Sequence, residues 1–451
     1  MPTYRLICLI LLIALSLRVA RGQEPAPHIV AQKRLKPSPV DTVVSQGYAL
    51  KIINSVDKIV RRNFYDKKAV EEVWGKSCAK MLADFQKRGQ CDEISLTDSL
   101  NELLQKLKTS HCQFVSANDE AFYFLHSLFA TLRGADSKKD PLAAPIACTG
   151  FATGGCDYPS DVIRYILDGS PAAKAGLEVG DRIVAVDGQA YVGYLNFAGK
   201  AGRQLNLVVD RQSQHKNFVE IALTPVKKEI YPFYIEAMQA SKKKIKAGKH
   251  TLGYVHLWAG GTPSGEALAE IVTGYLQDVD GLLLDLRDGY GGASLQDLDI
   301  FYRPADAYPD LVTVERSGKE NRARLCFDRP VVALINSGSR SGKELLAYSL
   351  KQSGRAVLVG EKTAGAVVGG RLFNIDGHSS LYLAVVDVKL AAAGKNHKSG
   401  KGQAEATLER LEGKGVAPDI AVLNESHNQN GYGLQLKAAI EALEKQLNSQ
   451  N

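Results

Sequence analysis

The spacing of apolar and polar residues divides the chain into regions that predict different secondary structures. Over residues 41–132, segments such as "GYALKIINSVDKIVRRNFYD" place apolar residues at i, i+3 and i+4, which is typical of amphipathic helices. Glycine, proline and charged residues predict a linker over residues 133–145. A strand, a short helix and a second strand are predicted over residues 161–191.

Strand and helix signals alternate over residues 251–422. Apolar runs in "TLGYVHLW", "GLLLDLRD", "RPVVALIN" and "RAVLVGEKT" predict strands, and "PSGEALAEIVTGYLQD" and "GKELLAYSLKQS" predict helices between them. Strands separated by helices favour right-handed crossovers and a mostly parallel sheet. The segment "NIDGHSSLYLAVVDV" adds a hairpin with Asp376 and Gly377 at its turn. The pattern therefore predicts an α/β fold class for this region.

The N-terminal residues predict a secretory signal peptide over residues 1–22. Arg5 precedes an apolar run at residues 6–17, and "RVARGQ" offers small residues suited to cleavage before Gln23. An uncleaved membrane anchor is the alternative, but the run is short for a span and ends in arginines. We therefore expect an exported protein, periplasmic or extracellular, with no membrane span after cleavage.

Composition and charge exclude nucleic acid as a partner. The 451 residues are 45% hydrophobic and 23% charged, which is ordinary for a globular protein. Residues 1–22 hold three arginines and no acidic residue, so their removal lowers the net charge from +7 to +4. The lysines are spread along the chain, apart from a short run at residues 242–244.

Six cysteines remain after the predicted signal peptide is removed. They are Cys78, Cys91, Cys112, Cys148, Cys156 and Cys326. An even number in an exported protein favours disulfides, and Cys78–Cys91 and Cys148–Cys156 are the predicted local pairs. Because none has C-x-x-C spacing, a zinc site is not indicated, and we expect no metal.

A serine-rich turn is the first candidate for chemistry. The apolar run at residues 331–335 ends in "NSGSRSG", and a helix-period segment follows at once. A serine at a strand-to-helix turn exposes its hydroxyl beside a helix N-terminus, which suits a nucleophile. The alternative is that these serines only cap the helix that begins near Lys343. A nucleophilic serine also needs a base, which is not evident in "EKTAGAVVGG".

The segment "GSPAAKAGLEVGDRIVAVDG" strongly resembles a PDZ domain, with boundaries at residues 147–228. PDZ domains bind the C-terminus of a peptide by strand addition, and backbone N–H groups hold its carboxylate. The resemblance implies a substrate-binding loop at Thr149, Gly150 and Phe151. Because this loop is degenerate in sequence, a PDZ domain without ligand binding stays open as an alternative.

The chain resembles the C-terminal (tail-specific) processing peptidases in four motifs that occur in the family's order. They are "DLRDGYGG", "NSGSRSGKE", "VGEKTAG" and "GVAPDIAV". These form the S41 serine peptidase family, which includes tricorn-type proteases. The resemblance implies a helical N-terminal region at residues 41–140, a PDZ domain and a ClpP/crotonase-like core at residues 229–446. It implies an endopeptidase acting on proteins or peptides without a cofactor, with oligomerisation possible.

The family motif S-A-S-A-S-E reads Ser339 to Glu344 here, which implies Ser341 as the nucleophile. Ser339 is the weaker choice, because Glu344 sets the register. Developing negative charge needs backbone donors, and the resemblance points to the N–H groups of Gly291, Gly292 and Gly342 as the oxyanion hole. A tight turn after a buried strand is the other explanation for the glycine pair.

The lysine base of the bacterial branch is missing. Its motif T-x-G-K reads Thr363-Ala364-Gly365-Ala366 here, so a Ser–Lys dyad is excluded at this position. Lys343 and Lys362 lie outside the motif register, and we expect both to face solvent.

The tricorn-type branch has a histidine in an "L-x-x-S-H" context and a glutamate before "G-V-x-P-D". This chain matches both with Ser110-His111 and with Glu412. The resemblance implies His111 as the base, with Ser110 orienting the imidazole and Glu412 near the nucleophile as a second polar orienting group. A structural histidine at a helix end is the alternative.

Two questions stay open in the sequence. Cys112 is either a third disulfide partner, with Cys326 as its candidate in the core, or a rival nucleophile beside His111. His256 and His378 lack a motif. The missing lysine also permits an inactive S41-fold protein that binds peptides or apolar ligands. The two functions differ in whether His111 lies within roughly 2.6–3.2 Å of the Ser341 hydroxyl.

Overall fold

The computed structural model describes residues 43–132, 141–155, 158–211, 217–302, 311–323, 326–391, 408–423 and 429–449. The predicted signal peptide, Cys156 and residues 133–140 of the predicted linker lie outside these ranges. No helix within them is long and apolar enough to cross a membrane.

The N-terminal region is mostly helical and encloses its own apolar core. Its helices are α1 (Gln46–Asn63), α2 (Lys67–Ala69), α3 (Gly75–Lys87), α4 (Glu93–Gln105) and α5 (Glu120–Leu132), with a π-helical turn at Val70–Trp74. Its short strands are β1 (Val43–Ser45), β2 (Gln90–Asp92) and β3 (Gln113–Ser116). Ser45 caps α1 by accepting from Tyr48 N–H, and Asp92 caps α4 by accepting from Ser95 N–H. Buried residues recur at helical spacing along α1, as the sequence predicts.

A β-rich region follows. Its strands are β4 (Ile146–Cys148), β5 (Phe151–Gly155), β6 (Tyr158–Ile166), β7 (Arg182–Val186), β8 (Gln189–Ala190), β9 (Leu205–Arg211), β10 (Asn217–Leu223) and β11 (Val226–Lys228). The short helix α6 (Pro171–Lys174) lies between β6 and β7, with a 3-10 turn at Tyr194–Asn196. The main sheet has the order β10-β9-β7-β6-β5, so β5 forms one edge.

The third region contains a six-stranded sheet between two layers of helices. Its strands, in spatial order, are β12 (Lys243–Ala247), β13 (His250–His256), β14 (Gly281–Asp285), β17 (Val331–Ile335), β18 (Ala356–Gly360) and β23 (Ile420–Ala421). All pairs except β12 with β13 are parallel, which confirms the predicted α/β class and the mostly parallel sheet. The fully buried strands have apolar side chains on both faces, as parallel strands require.

Helices cover both faces of this sheet. They are α7 (Ile230–Ser241), α8 (Thr262–Glu270), α9 (Asp299–Tyr302), α10 (Gly342–Gln352) and α11 (Gln429–Ser449), with a π-helical turn at Ile271–Tyr275 and a 3-10 turn at Leu295–Leu298. Ala439, Leu443 and Leu447 of α11 pack on one face. Two strand pairs lie outside this sheet. One is the hairpin of β15 (Leu311–Val314) with β16 (Glu320–Ala323), and the other is β21 (Leu390–Ala391) with β22 (Leu408–Glu409).

A small three-stranded sheet joins the N-terminal region to the core. Its strands β19 (Val368–Asn374) and β20 (Ser379–Asp387) form the hairpin predicted around Asp376 and Gly377. Strand β3 adds to β20, with Tyr382 opposite Gln113. Residues 110–112 directly precede β3, so the pairing of β3 with β20 places these three residues near the C-terminal ends of the parallel core strands.

The predicted disulfides are wrong: Cys78, Cys91, Cys112, Cys148 and Cys326 are all free. The thiol of Cys78 is buried on the inner face of α3, whereas Cys91 lies in β2 and pairs with Val44 of β1. The Cys148 thiol donates to the Lys228 carbonyl oxygen at 3.6 Å.

Candidate active site

Ser341 occupies a strained turn between β17 and α10. Its φ of 57° and ψ of −127° are rare for a residue with a side chain and cost roughly 1–3 kcal/mol. The Ser341 N–H donates to the Ala366 carbonyl oxygen at 3.1 Å and to the Glu344 carboxylate at 3.0 Å. These bonds hold the turn while the hydroxyl faces a cleft of about 600 Å³.

Ser339 and Glu344 have structural environments. The Ser339 hydroxyl is buried, donates to the Leu286 carbonyl oxygen at 2.8 Å and accepts from Asn336 N–H at 3.0 Å. The buried Glu344 carboxylate also accepts from the Thr363 hydroxyl and from Gly365 and Ala366 N–H at 2.6–2.8 Å. Burial raises the pKa of Glu344, although these hydrogen bonds act against that shift. Ala366 thus contributes only its backbone to the site.

His111 reaches Ser341 from the N-terminal region. Its Nε2 lies 3.0 Å from the Ser341 Oγ, and its Nδ1 lies 2.8 Å from the Ser110 Oγ. The imidazole is buried, with 7% of the residue exposed. Burial and then the charge of Arg340 lower the pKa of His111 to about 3. The imidazole is therefore neutral at physiological pH.

Glu412 completes a chain of hydrogen bonds behind the imidazole. Its carboxylate accepts from Ser110 N–H at 2.8 Å, from the Ser110 hydroxyl at 3.0 Å and from Val367 N–H at 2.7 Å. An ionised carboxylate can only accept, so the single hydroxyl proton of Ser110 points to Glu412. The Ser110 oxygen then accepts from Nδ1–H of His111. This tautomer leaves Nε2 unprotonated and able to accept the proton of the Ser341 hydroxyl.

The predicted oxyanion glycines lie beside Ser341. A Cβ atom on Gly291 would come within 2.5 Å of the Ser341 Cβ, and one on Gly342 within 2.2 Å of the Ala293 carbonyl oxygen. Gly292 has a φ of 90°, in the region that favours glycine. No described residue accepts a hydrogen bond from the N–H groups of these three glycines. Close approach and free donors are the two properties that an oxyanion hole needs.

Comparison with known proteins identifies the domains. Residues 251–422 match the model of peptidase family S41, and residues 162–211 match the model of a PDZ domain. The chain carries an S41 peptidase domain. The S41 peptidase domain and the PDZ domain predicted from the sequence motifs are therefore confirmed.

Curated relatives share part of the chain. The C-terminal processing peptidase, chloroplastic, of Tetradesmus obliquus is 27% identical over 307 residues, which cover 64% of this chain and 63% of that protein. The carboxyl-terminal-processing protease of Picosynechococcus sp. is 31% identical over 231 residues, covering 48% of this chain and 53% of that protein. The chain thus spans about half to two thirds of the length of these relatives.

A solved structure shares the fold. The tricorn protease superposes with a TM-score of 0.50 at 18% identity, covering 89% of this chain and 37% of that one. The likeness in fold therefore covers most of the chain.

Lys343 of the S41 domain is not solvent-facing, and that prediction is wrong. Its side chain is fully buried, and Nζ donates to the carbonyl oxygens of Asp288 at 2.5 Å and Arg287 at 3.4 Å. Burial lowers the pKa of Lys343 to about 7. Lys343 thus holds the loop that leads to Gly291. Lys362 is exposed, as predicted.

A sequence signal for this burial existed. Position 343 is followed at three, four and seven residues by Leu346, Ala347 and Leu350, all buried. This spacing places Lys343 on the inner face of α10, although a lysine is rarely buried without a partner.

Cys112 and His256 have structural surroundings. Cys112 lines the cleft, and burial raises the pKa of its thiol to about 11, so the thiol is protonated and a poor nucleophile. His256 is buried and stacks on Trp258, and its Nε2 lies 2.8 Å from the Arg287 carbonyl oxygen.

A second cavity of about 430 Å³ is lined by Thr149, Phe151 and the aromatic residues Tyr191, Tyr194 and Phe197 of the PDZ region, and by residues 119–121 and Tyr290 outside it. The structure brings Thr149 and Phe151 to its wall but does not place Gly150 there. A Cβ atom on Gly150 would come within 2.1 Å of the Ser170 Cβ, so packing explains that glycine. The two cavities share Ala121 and Tyr290 in their walls.

Proposed function

We propose that this protein is a serine endopeptidase of the C-terminal processing, tricorn-like type, which cleaves exported proteins or peptides. One observation carries the proposal. It is the continuous chain of hydrogen bonds from Glu412 through Ser110 and His111 to the Ser341 hydroxyl. Export rests on the predicted signal peptide at residues 1–22.

In this mechanism, Ser341 Oγ attacks the peptide carbonyl carbon while His111 Nε2 takes the hydroxyl proton. The carbonyl oxygen becomes an oxyanion, which accepts from the N–H groups of Gly291, Gly292 and Gly342. The Glu412 carboxylate stabilises the resulting imidazolium through the Ser110 hydroxyl.

The imidazolium then gives its proton to the leaving amine, and the C–N bond breaks to leave an acyl-enzyme on Ser341. A water molecule, deprotonated by His111, attacks the ester and releases the second product. No lysine is needed at position 366, because the imidazole supplies the base.

For the PDZ domain, we propose capture of a substrate segment by strand addition. Strand β5 is the edge of its sheet and borders the cavity that Thr149 and Phe151 line. An added strand would lie beside Ala121 and Tyr290, which also line the cleft of Ser341.

The rival function is peptide binding by an inactive member of the fold. A direct test is incubation of the purified protein with an unfolded protein substrate, followed by mass spectrometry of the products. We expect new C-termini to appear. Binding of the substrate without any cleavage, over a wide range of enzyme concentration, would favour the rival.

The pH dependence of cleavage tests the environment of His111. The base must be neutral to accept a proton. With an ordinary histidine pKa near 6.5, kcat/KM falls to half its plateau when the pH drops to about 6.5. With a pKa of about 3 for His111, protonation comes later, so we expect kcat/KM to stay flat between about pH 5 and 7. The measurement is a pH profile with a neutral peptide, with circular dichroism confirming the fold at each pH. A midpoint near 6.5 would contradict the buried, neutral imidazole.

A further inference from the structure

Arg340 is the one side chain with a formal charge among the described residues that line the cleft. It directly precedes Ser341 and is exposed. None of the described residues forms an ion pair or hydrogen bond with its guanidinium. The family motif S-A-S-A-S-E has alanine at the position that Arg340 occupies here.

The charge lies close to the reacting groups. Burial lowers the pKa of His111, and the charge of Arg340 lowers it further. Burial raises the pKa of Tyr382, and the charge of Arg340 acts against that rise. The rings of His111 and Tyr382 are 5.2 Å apart on the cleft wall. A substrate bound with its carbonyl at Ser341 therefore passes Arg340 within a residue or two of the scissile bond.

The rest of the cleft is apolar or uncharged. Helix α5 contributes Leu125, Leu128, Phe129 and Leu132. A bound peptide displaces water from this wall, which strengthens any ionic contact inside it. A guanidinium presents paired N–H donors that match the two oxygens of a carboxylate.

We propose that Arg340 is a specificity-determining residue that binds a substrate carboxylate next to the scissile bond. This inference rests on the proposed function of the Ser341 cleft. The carboxylate belongs either to an aspartate or glutamate side chain or to the free C-terminus of a short leaving segment. A substrate with lysine or arginine at the same place is disfavoured by charge repulsion.

The test uses matched peptides that differ at one position beside the cleavage point: aspartate, asparagine or lysine. A second set ends just beyond that point as a free carboxylate or as an amide. In one of the two sets, we expect the peptide that carries the carboxylate to have about ten- to hundredfold higher kcat/KM than its neutral counterpart, asparagine in the first set or the amide in the second. The set that shows the preference identifies the source of the carboxylate.

Arg340→Gln should remove this preference, and Arg340→Glu should favour the lysine peptide. Lys362→Gln is the matched control, because Lys362 is exposed but does not line the cleft. Equal loss of kcat for all peptides in Arg340→Gln would overturn the proposal.

Binding separates this inference from the proposed function. Fluorescence anisotropy with Ser341→Ala protein should show tighter binding of the carboxylate peptides, and Arg340→Gln in that background should abolish the difference. If the unmodified protein cleaves nothing but this difference appears, the proposed function fails while the role of Arg340 stands. If carboxylate and neutral peptides bind equally to Ser341→Ala protein, the role of Arg340 is refuted.

Discussion

Replacing either Ser341 or His111 by alanine should lower kcat by about 10⁶-fold, to the limit of detection. Ser341 supplies the attacking oxygen, and His111 is the group whose Nε2 lies 3.0 Å from it. Because the two act as a unit, the double variant should be no worse than either single one. The measurement is single-turnover cleavage of a peptide at high enzyme concentration.

His378→Ala is the matched control, since His378 is exposed at the turn of the β19–β20 hairpin. It should retain full activity. Thermal unfolding of all variants should be cooperative, which shows that loss of activity does not reflect loss of fold. Substantial cleavage by Ser341→Ala protein would exclude the acyl-enzyme, and cleavage by His111→Ala protein would require another base.

Glu412→Ala should lower kcat by about 10³- to 10⁴-fold with little change in KM, by analogy with loss of the acidic member of a triad. Without the carboxylate, the Ser110 hydroxyl can donate to Nδ1 of His111. That arrangement favours the tautomer with a proton on Nε2, which cannot accept one from Ser341. The imidazolium formed during attack also loses its negative partner.

Steady-state kinetics on a neutral peptide measures this effect. The partly buried N–H groups of Ser110 and Val367 lose an acceptor, so Glu412→Ala should also be less stable by roughly 1–3 kcal/mol. Glu409→Ala, which removes an exposed carboxylate of the same segment, is the control and should keep its kcat. An unchanged kcat in Glu412→Ala would mean that Ser110 orients His111 alone.

The errors made from the sequence share a cause. Lys343 was expected at the surface because lysine usually lies there, yet the carbonyl oxygens of Arg287 and Asp288 bind its ammonium in the interior. The disulfides were expected from cysteine number and spacing, yet Cys78 and Cys91 lie on different elements and are both free. The burial of Lys343 and the pairing of cysteines both depend on which groups come into contact in the folded chain. Composition and local spacing carry no information on those contacts.

The sequence by itself determined the local structure and the identity of the groups. Apolar periodicity specifies the strands and helices of the α/β core, because each element must bury one face or both. The order of the motifs identifies the S41 domain, and the absence of lysine at position 366 leaves Ser110, His111 and Glu412 as the candidate polar groups around Ser341.

Only the tertiary structure decided that these groups meet. His111 and Ser341 are 230 residues apart in the chain, and pairing of β3 with β20 carries the imidazole to the turn after β17. Strand pairing of this kind is set by long-range packing and hydrogen bonding between segments, which no local pattern encodes. The tautomer of His111 and the neutral state that burial favours follow from that meeting.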